Sequence, residues 1–139
     1  MHAQCSYDYA VIRVVPRVER QEFLNAGVIL WCQEQDFLDA RVELDETRLR
    51  VLDASTDLDA VRRHLASFAI ICAGGKDSGP IGQLSKRERF DWLVAPRSTA
   101  IQVSEVHEGL CEDPQKALDH LVESLVRTPV RPSSAEGRA

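Results

Sequence analysis

The stretch YDYAVIRVVPRVERQEFLNAGVILWCQEQDFLDARVEL, residues 7–44, decides the fold because it holds three strand-like segments in succession. Residues 7–16 are rich in aromatic and β-branched side chains and end at a proline, which is typical of a strand. Residues 23–32 form a long apolar run, which predicts a strand buried on both faces. Gly27 within that run indicates a bulge or a close approach by another backbone. Residues 37–44 alternate between apolar and polar side chains, so the third strand has one side in water.

Helices are predicted from residue 45 onward by capping residues and by the spacing of apolar side chains. Asp45 can cap a short helix over residues 46–52. Apolar residues at helical spacing then predict a longer amphipathic helix over residues 58–72. Gly74 and Gly75 end this longer helix, as glycine commonly does.

The second half of the chain predicts two more helices and one more strand. Ser85, with Glu88 three residues later, forms a capping box that begins a third helix. Residues 99–104 alternate like a fourth strand. Asp113 followed by Pro114 begins a last helix. The order β-β-β-α-α-α-β-α, with short links between the first three strands, predicts an α+β fold in which helices cover a mainly antiparallel four-stranded sheet.

Length and charge limit the classes of protein to which this chain can belong. Its 139 residues fit one domain, which we place at residues 1–127, and the polar, proline-rich residues 128–139 are expected to form a flexible tail. The net charge of -5 argues against a nucleic-acid partner, because such proteins usually carry a clustered basic excess. No apolar run is long enough for a membrane span and no signal peptide is apparent, so we expect a cytoplasmic protein without membrane contact.

The cysteines are spread along the chain without a CxxC pair. This spacing argues against a zinc knuckle and against a dithiol motif of the usual kind. Most of them follow apolar residues, where a reduced cysteine behaves as a small hydrophobic side chain. We therefore expect no metal site and no cofactor, and free thiols at Cys5, Cys32, Cys72 and Cys111.

The densest group of chemically specialised side chains lies within residues 79–111. Gly79 and Gly82 flank a proline and an isoleucine, and their flexible backbone indicates either an anion-binding nest of amides or a structural turn. Arg97 and Ser98 follow a proline, where a guanidinium and a hydroxyl group are suited to grip a phosphate or a carboxylate.

Three further arginines extend this group. Arg13 and Arg17 leave the first predicted strand, and Arg41 leaves the polar side of the third. Together with Arg97 they indicate a small basic cluster on one side of the sheet. Because a half-buried arginine needs a partner, the alternative is a structural ion pair of Arg13 with a nearby carboxylate. The candidate carboxylates are Asp8, Glu22, Asp39 and Glu43.

His107 and Cys111 stand four residues apart, a spacing that places two side chains on one face of a helix. A Cys–His nucleophile pair or half a zinc site is conceivable there. Gly109 disfavours a regular helix, and the sequence defines neither an orienting residue for the pair nor further metal ligands. We therefore expect a packed thiol and a loop histidine, and we predict no catalytic residue. Trp92 is expected to lie in the core or, if exposed, to be a hot spot for a protein partner.

Four segments of the sequence resemble those of a known family. They are YDYAVIRVVPRVERQEFLNAGVIL, GPIG, RFDWLVAPRSTAIQ and VHEGLC, in this order and at these spacings. In them the chain resembles the bacterial family catalogued as domain of unknown function 3037, from about residue 7 to the last helix. The resemblance implies a neighbouring gene for a HipA-like protein kinase, and hence a toxin-antitoxin or kinase-accessory setting.

Three classes of function remain open. The first is a non-catalytic interaction module, such as an antitoxin-like partner of a HipA-like kinase, whose conspicuous side chains form a recognition surface. The second is a small enzyme or binding protein that acts on a phosphate-bearing ligand through Arg97, Ser98 and His107. The third is a nucleic-acid-binding component, which steeply salt-dependent binding would reveal. An exposed strand edge in a meander also permits a homodimer.

Overall fold

A computed structural model describes residues 4–128 of the chain. The strands are β1 (Cys5–Val14), β2 (Leu24–Cys32), β3 (Phe37–Val42), β4 (Ile101–Val103) and β5 (His107–Cys111). The helices are α1 (Glu46–Leu52), α2 (Leu58–Ala73), α3 (Lys86–Leu93) and α4 (Pro114–Leu125), with 3-10 turns at Val18–Arg20, Lys76–Ser78 and Ile81–Gln83. The predicted flexible tail, residues 128–139, lies outside the described residues except for Thr128.

Hydrophobic side chains divide between two cores, one on each face of the sheet. On one face the strands pack against α1, α2 and α3, where Phe68 and Leu93 are almost fully buried. On the other face α4 packs through Leu118 and Val122 against β2. Because β2 contributes side chains to both cores, the prediction of a strand buried on both faces is confirmed. The predicted α+β fold, a mainly antiparallel sheet covered by helices, is also confirmed.

The sheet is antiparallel throughout, with β1 near its centre. The first three strands form a meander in the spatial order β3-β2-β1. The register of β1 against β2 shifts after Ile12, which pairs with Gly27, whereas Arg13 pairs with Asn25. A Cβ atom on Gly27 would stand 2.7 Å from the carbonyl oxygen of Arg41 in β3. Both predicted features of this glycine, the bulge and the close backbone approach, are therefore present.

The helix starts agree with the predicted capping residues. The Asp45 carboxylate accepts a hydrogen bond from the Arg48 amide at the start of α1, and Asp113 caps α4 in the same way. Ser85 and Glu88 form the predicted capping box of α3. These signals are predictable because each involves residues within one turn of the helix.

The sheet has one strand more than the four predicted. β4 pairs with residues 12–14 of β1, and β5 pairs with residues 5–9. Two residues of β1 separate Tyr9 from Ile12. Three residues separate their partners, Val103 at the end of β4 and His107 at the start of β5. β4 and β5 are therefore one extended segment that a bulge interrupts.

Ser104 bridges this interruption. Its amide donates to the Val11 carbonyl oxygen at 2.9 Å, and its hydroxyl accepts from the Val11 amide at 2.9 Å. Ser104 is buried, so water cannot reach the two backbone groups of Val11. The two bonds to Ser104 satisfy these groups instead.

The described residues also bear on membranes and on self-association. Among residues 4–128, none of the helices combines the length and the apolar character that a membrane crossing requires. Within the same range the outer edges of β3 and β5 have no strand partner. Dimerisation through such an edge stays a prediction.

Candidate functional site

The loop between α2 and α3 is a compact turn. The structure explains why each glycine of the GPIG motif is needed there. Gly79 has φ of +76° and ψ of -177°, a combination that is nearly restricted to glycine. A Cβ atom on Gly82 would stand 1.8 Å from the Ser78 hydroxyl, which itself donates to the Gly75 carbonyl oxygen at 2.6 Å. These contacts favour the structural turn, and an anion-binding role for the loop stays a prediction.

Trp92 and Arg97 form a stacked pair at the surface. The central guanidinium carbon of Arg97 lies 4.5 Å from the centre of the Trp92 ring, and Trp92 is 43% exposed. The same guanidinium donates to the carbonyl oxygens of Trp92 at 2.7 Å and Leu93 at 3.1 Å, at the C-terminal end of α3. The pair is thus held by the main chain while much of the indole remains open to a partner.

His64 and Ser98 lie beside this pair. Burial and the positive charge of Arg97 lower the pKa of His64, whose ring stacks on Phe68 with 6.4 Å between ring centres. Ser98 follows Arg97 directly and is exposed. Helix α2 therefore places the His64 imidazole within electrostatic range of Arg97, whose guanidinium stacks on the Trp92 ring.

Arg17 and Arg41 are engaged in surface ion pairs. Arg17 Nε lies 3.6 Å from a carboxylate oxygen of Asp53, and Arg41 forms an ion pair with Asp119 of α4. Arg41 thus contacts the α4 layer, whereas Arg97 contacts α3 on the opposite face of the sheet. Arg41 and Arg97 therefore do not belong to one basic cluster, because the alternation along β3 turns Arg41 toward α4.

Arg13 is half-buried and faces an aromatic ring instead of a carboxylate. Its guanidinium carbon lies 4.2 Å from the centre of the Phe23 ring, so a cation–π contact replaces the predicted ion pair among residues 4–128. Arg13 Nε and the Oδ1 atom of its cross-strand neighbour Asn25 are buried and have no hydrogen-bond partner in that range. Asn25 Nδ2 donates to the Leu125 carbonyl oxygen at 3.0 Å, where α4 ends.

His107 and Cys111 lie at opposite ends of β5. A strand rises about 3.3 Å per residue, so the two residues are about 13 Å apart. The His107 ring is exposed and packs 5.4 Å from the Tyr9 ring, between centres. Cys111 is buried, which raises its pKa to about 11. The distance rules out the Cys–His pair that the spacing allowed, and the packed thiol is confirmed. The expected loop position of the histidine is wrong, because His107 is the first residue of β5.

Sequence reasoning missed that three of the cysteines converge in the α4 core. Cys5 stands opposite Cys111 in the sheet, and Cys32 Sγ lies 3.5 Å from Cys5 Sγ. All are unbridged thiols, and within residues 4–128 no three His, Cys, Asp or Glu side chains are arranged to hold a metal ion. The convergence depends on the register of three strands, which residue spacing alone does not reveal.

Arg89 was also missed as a structural residue. It is 8% exposed, and its guanidinium donates to the carbonyl oxygens of Ile71 at 2.9 Å and Cys72 at 2.7 Å, where α2 ends. A signal was present in the sequence, because Arg89 stands four residues before Leu93 on the apolar stripe of α3. A charged residue on such a stripe indicates a buried partner.

Comparison with known proteins agrees with the resemblance seen in the sequence. A family model described as "Protein of unknown function (DUF3037)" matches residues 9–126. Searches of curated proteins and of solved structures gave no match. The matched range contains β2 to β5 and all four helices. Because this range is most of the chain, the protein belongs to the DUF3037 family.

Proposed function

We propose that this protein is a non-catalytic interaction module, which binds a protein partner through the surface around Trp92 and Arg97. The observation that carries the proposal is the exposed indole with a guanidinium stacked on it. Tryptophan and arginine contribute much of the binding energy in protein interfaces. Because carbonyl oxygens already hold Arg97, fixing its side chain in a complex costs little further conformational entropy.

The protonation of two of the thiols, those of Cys72 and Cys111, supports a role without catalysis. Burial raises the pKa of Cys72 to about 12 and that of Cys111 to about 11. Both thiols are therefore protonated near neutral pH, and a protonated thiol is a poor nucleophile. His107, the histidine closest to Cys111 in the sequence, stands too far along β5 to act as its base.

As the partner we propose a HipA-like kinase encoded beside this gene, in the cytoplasm of a bacterium. This choice rests on the sequence resemblance given above, which suggests an antitoxin-like or accessory role. Unbridged cysteines are compatible with the reducing cytoplasm. In this proposal the kinase covers the Trp92 ring and contacts Arg97 from the side that faces the solvent.

Co-expression of the chain with the neighbouring kinase tests the proposal, and we expect the two proteins to co-purify. Trp92→Ala is expected to weaken the complex by about 2 kcal/mol or more, which is roughly 30-fold in Kd. Val51→Ala is the matched control, because Val51 is an exposed apolar residue of α1, 83% accessible, outside the proposed surface. Titration calorimetry on the purified proteins measures both constants.

Two results would contradict the proposal. The first is that the kinase and the chain do not associate at all. The second is that Trp92→Ala binds as tightly as the unchanged chain while its far-ultraviolet circular dichroism shows a native fold. In that case the partner uses another surface.

A further inference from the structure

The three thiols of the α4 core meet at one corner of the sheet. Cys5 begins β1, Cys111 ends β5, and Cys32 ends β2. Cys5 and Cys111 are direct cross-strand partners, and such partners have Cβ atoms about 4.5 to 5.5 Å apart. The sulfur atoms of Cys5 and Cys32 are 3.5 Å apart. Cys5 therefore has a second thiol close by on each of two neighbouring strands.

Hydrogen bonds distinguish Cys5 from the other two cysteines. The Cys32 thiol donates to the Cys5 sulfur, and so does the side-chain amide of Gln35 at 3.1 Å. Cys5 is therefore the thiol at which the contacts of this corner meet, since both donors point at its sulfur. The Cys5 thiol itself donates to the Cys111 carbonyl oxygen at 3.4 Å, so the sulfur is held in one position.

We propose that Cys5 is the reactive thiol of an internal redox site, which a small-molecule disulfide oxidises to a disulfide bond between Cys5 and either Cys32 or Cys111. In the first step the Cys5 thiolate attacks one sulfur of the reagent, which forms a mixed disulfide and releases one equivalent of reagent thiol. In the second step Cys32 or Cys111 loses its proton and attacks the Cys5 sulfur. The internal bond forms and the second reagent thiol leaves, so two protein thiols are oxidised and one reagent disulfide is reduced.

The position of Cys5 allows the reagent to reach it. Cys5 is 4% exposed, but it is the first residue of β1, and the end of a strand opens at a lower free-energy cost than its middle. Gln35, which covers the sulfur, is itself exposed and belongs to the turn between β2 and β3. Burial raises the pKa of both Cys32 and Cys111, which fits their role as the second, initially protonated thiol. We therefore expect a slow reaction that accelerates as the pH rises.

Cys72 provides a matched control inside the same chain. It is as buried as the other three, but it lies in the core on the opposite face of the sheet, apart from them. If buried thiols of this protein reacted without regard to geometry, Cys72 would take part as well. The proposal requires that it does not.

The experiment uses the full chain, incubated with glutathione disulfide under native conditions and then analysed by intact mass spectrometry and peptide mapping. We expect the unchanged chain and Cys72→Ser to lose the mass of two hydrogen atoms, to carry no glutathione, and to run as monomers on a non-reducing gel. Mapping is expected to find Cys5 in the bond. Cys5→Ser is expected to show no such loss of mass over the same time.

Several results would overturn the proposal. They are a chain that stays fully reduced, a bond between Cys32 and Cys111, a bond that includes Cys72, or a glutathione adduct that never resolves. Peptide mapping of the unchanged chain decides between these outcomes even if Cys5→Ser does not fold. The outcome is independent of the proposed kinase interaction, since no partner is present.

Discussion

Gly79 and Gly82 stand three residues apart in one loop, yet they are required for different physical reasons. At Gly79 there is open space for a methyl group, but the backbone angles disfavour any residue that has a Cβ atom. At Gly82 the backbone has no positive φ, but the Ser78 side chain occupies the position of the missing Cβ atom. The motif therefore combines one conformational and one steric requirement.

These two requirements can be separated by substitution. Gly82→Ala is expected to lower the free energy of unfolding by about 1 to 3 kcal/mol through overpacking. Gly79→Ala is expected to lower it by about 1 to 3 kcal/mol through backbone strain. Adding Ser78→Gly should recover stability in Gly82→Ala but not in Gly79→Ala. The reason is that the Ser78 side chain clashes only with a Cβ atom at residue 82. Double-mutant cycles from urea denaturation measure the two coupling energies, and equal coupling at both glycines would contradict this explanation.

At the scale of elements, local signals were predictable from the sequence and distant pairings were not. The capping residues of α1, α3 and α4 lie within one turn of the helix that they start, so the sequence contains the whole signal. The segment HEGLC was not recognised as β5 because it lacks a clear alternation. The reason for its glycine is visible only in the folded structure. The Tyr7 ring covers Gly109, and a Cβ atom there would lie 2.5 Å from that ring.

The bulge between β4 and β5 makes Ser104 a structural residue. Ser104→Ala is expected to lower the free energy of unfolding by about 1 to 3 kcal/mol, because the buried Val11 amide loses its acceptor. Ser98→Ala is the matched control, since Ser98 is exposed and should change stability by less than about 0.5 kcal/mol. Chemical denaturation measures both variants. Hydrogen exchange at the Val11 amide adds a local readout, and an unchanged rate in Ser104→Ala would refute the assigned bond.

At the scale of the whole molecule, the two cores share one sheet, so damage to one should destabilise the other. Leu118→Ala is expected to lower the free energy of unfolding by about 2 to 5 kcal/mol, because Leu118 is fully buried on the side of α4 that packs against the sheet. Trp31 lies in the opposite core and Trp92 in helix α3 on the same face. The tryptophan fluorescence transition should therefore shift together with the circular dichroism transition.

Leu110→Ala is the control for this experiment, because Leu110 is 66% exposed and has little packing to lose. We expect its denaturation midpoint to stay close to that of the unchanged chain. A Leu118→Ala chain in which helical signal is lost before the fluorescence changes would show that the two layers unfold separately.

The candidate site was predictable only in part, for a reason that also belongs to the whole molecule. Trp92 was recognised as a hot spot if exposed, since residue type and helix position were enough to pose that alternative. The separation of Arg41 from Arg97, and the meeting of Cys5 with Cys32, depend on which face of which strand each side chain occupies. Such relations follow from strand register across the sheet, which depends on pairings between residues far apart in the sequence.

The pairing of β1 with two segments near the end of the chain matters while the protein is being made. β1 leaves the ribosome before β4, which is translated roughly 90 residues later, about 5 to 20 seconds at ordinary rates of synthesis. During that interval one edge of β1 offers unpaired amides and carbonyl groups beside apolar side chains, a surface to which other nascent chains can add. We therefore expect chaperones that occupy the nascent chain during this interval to raise the yield of this protein in cells.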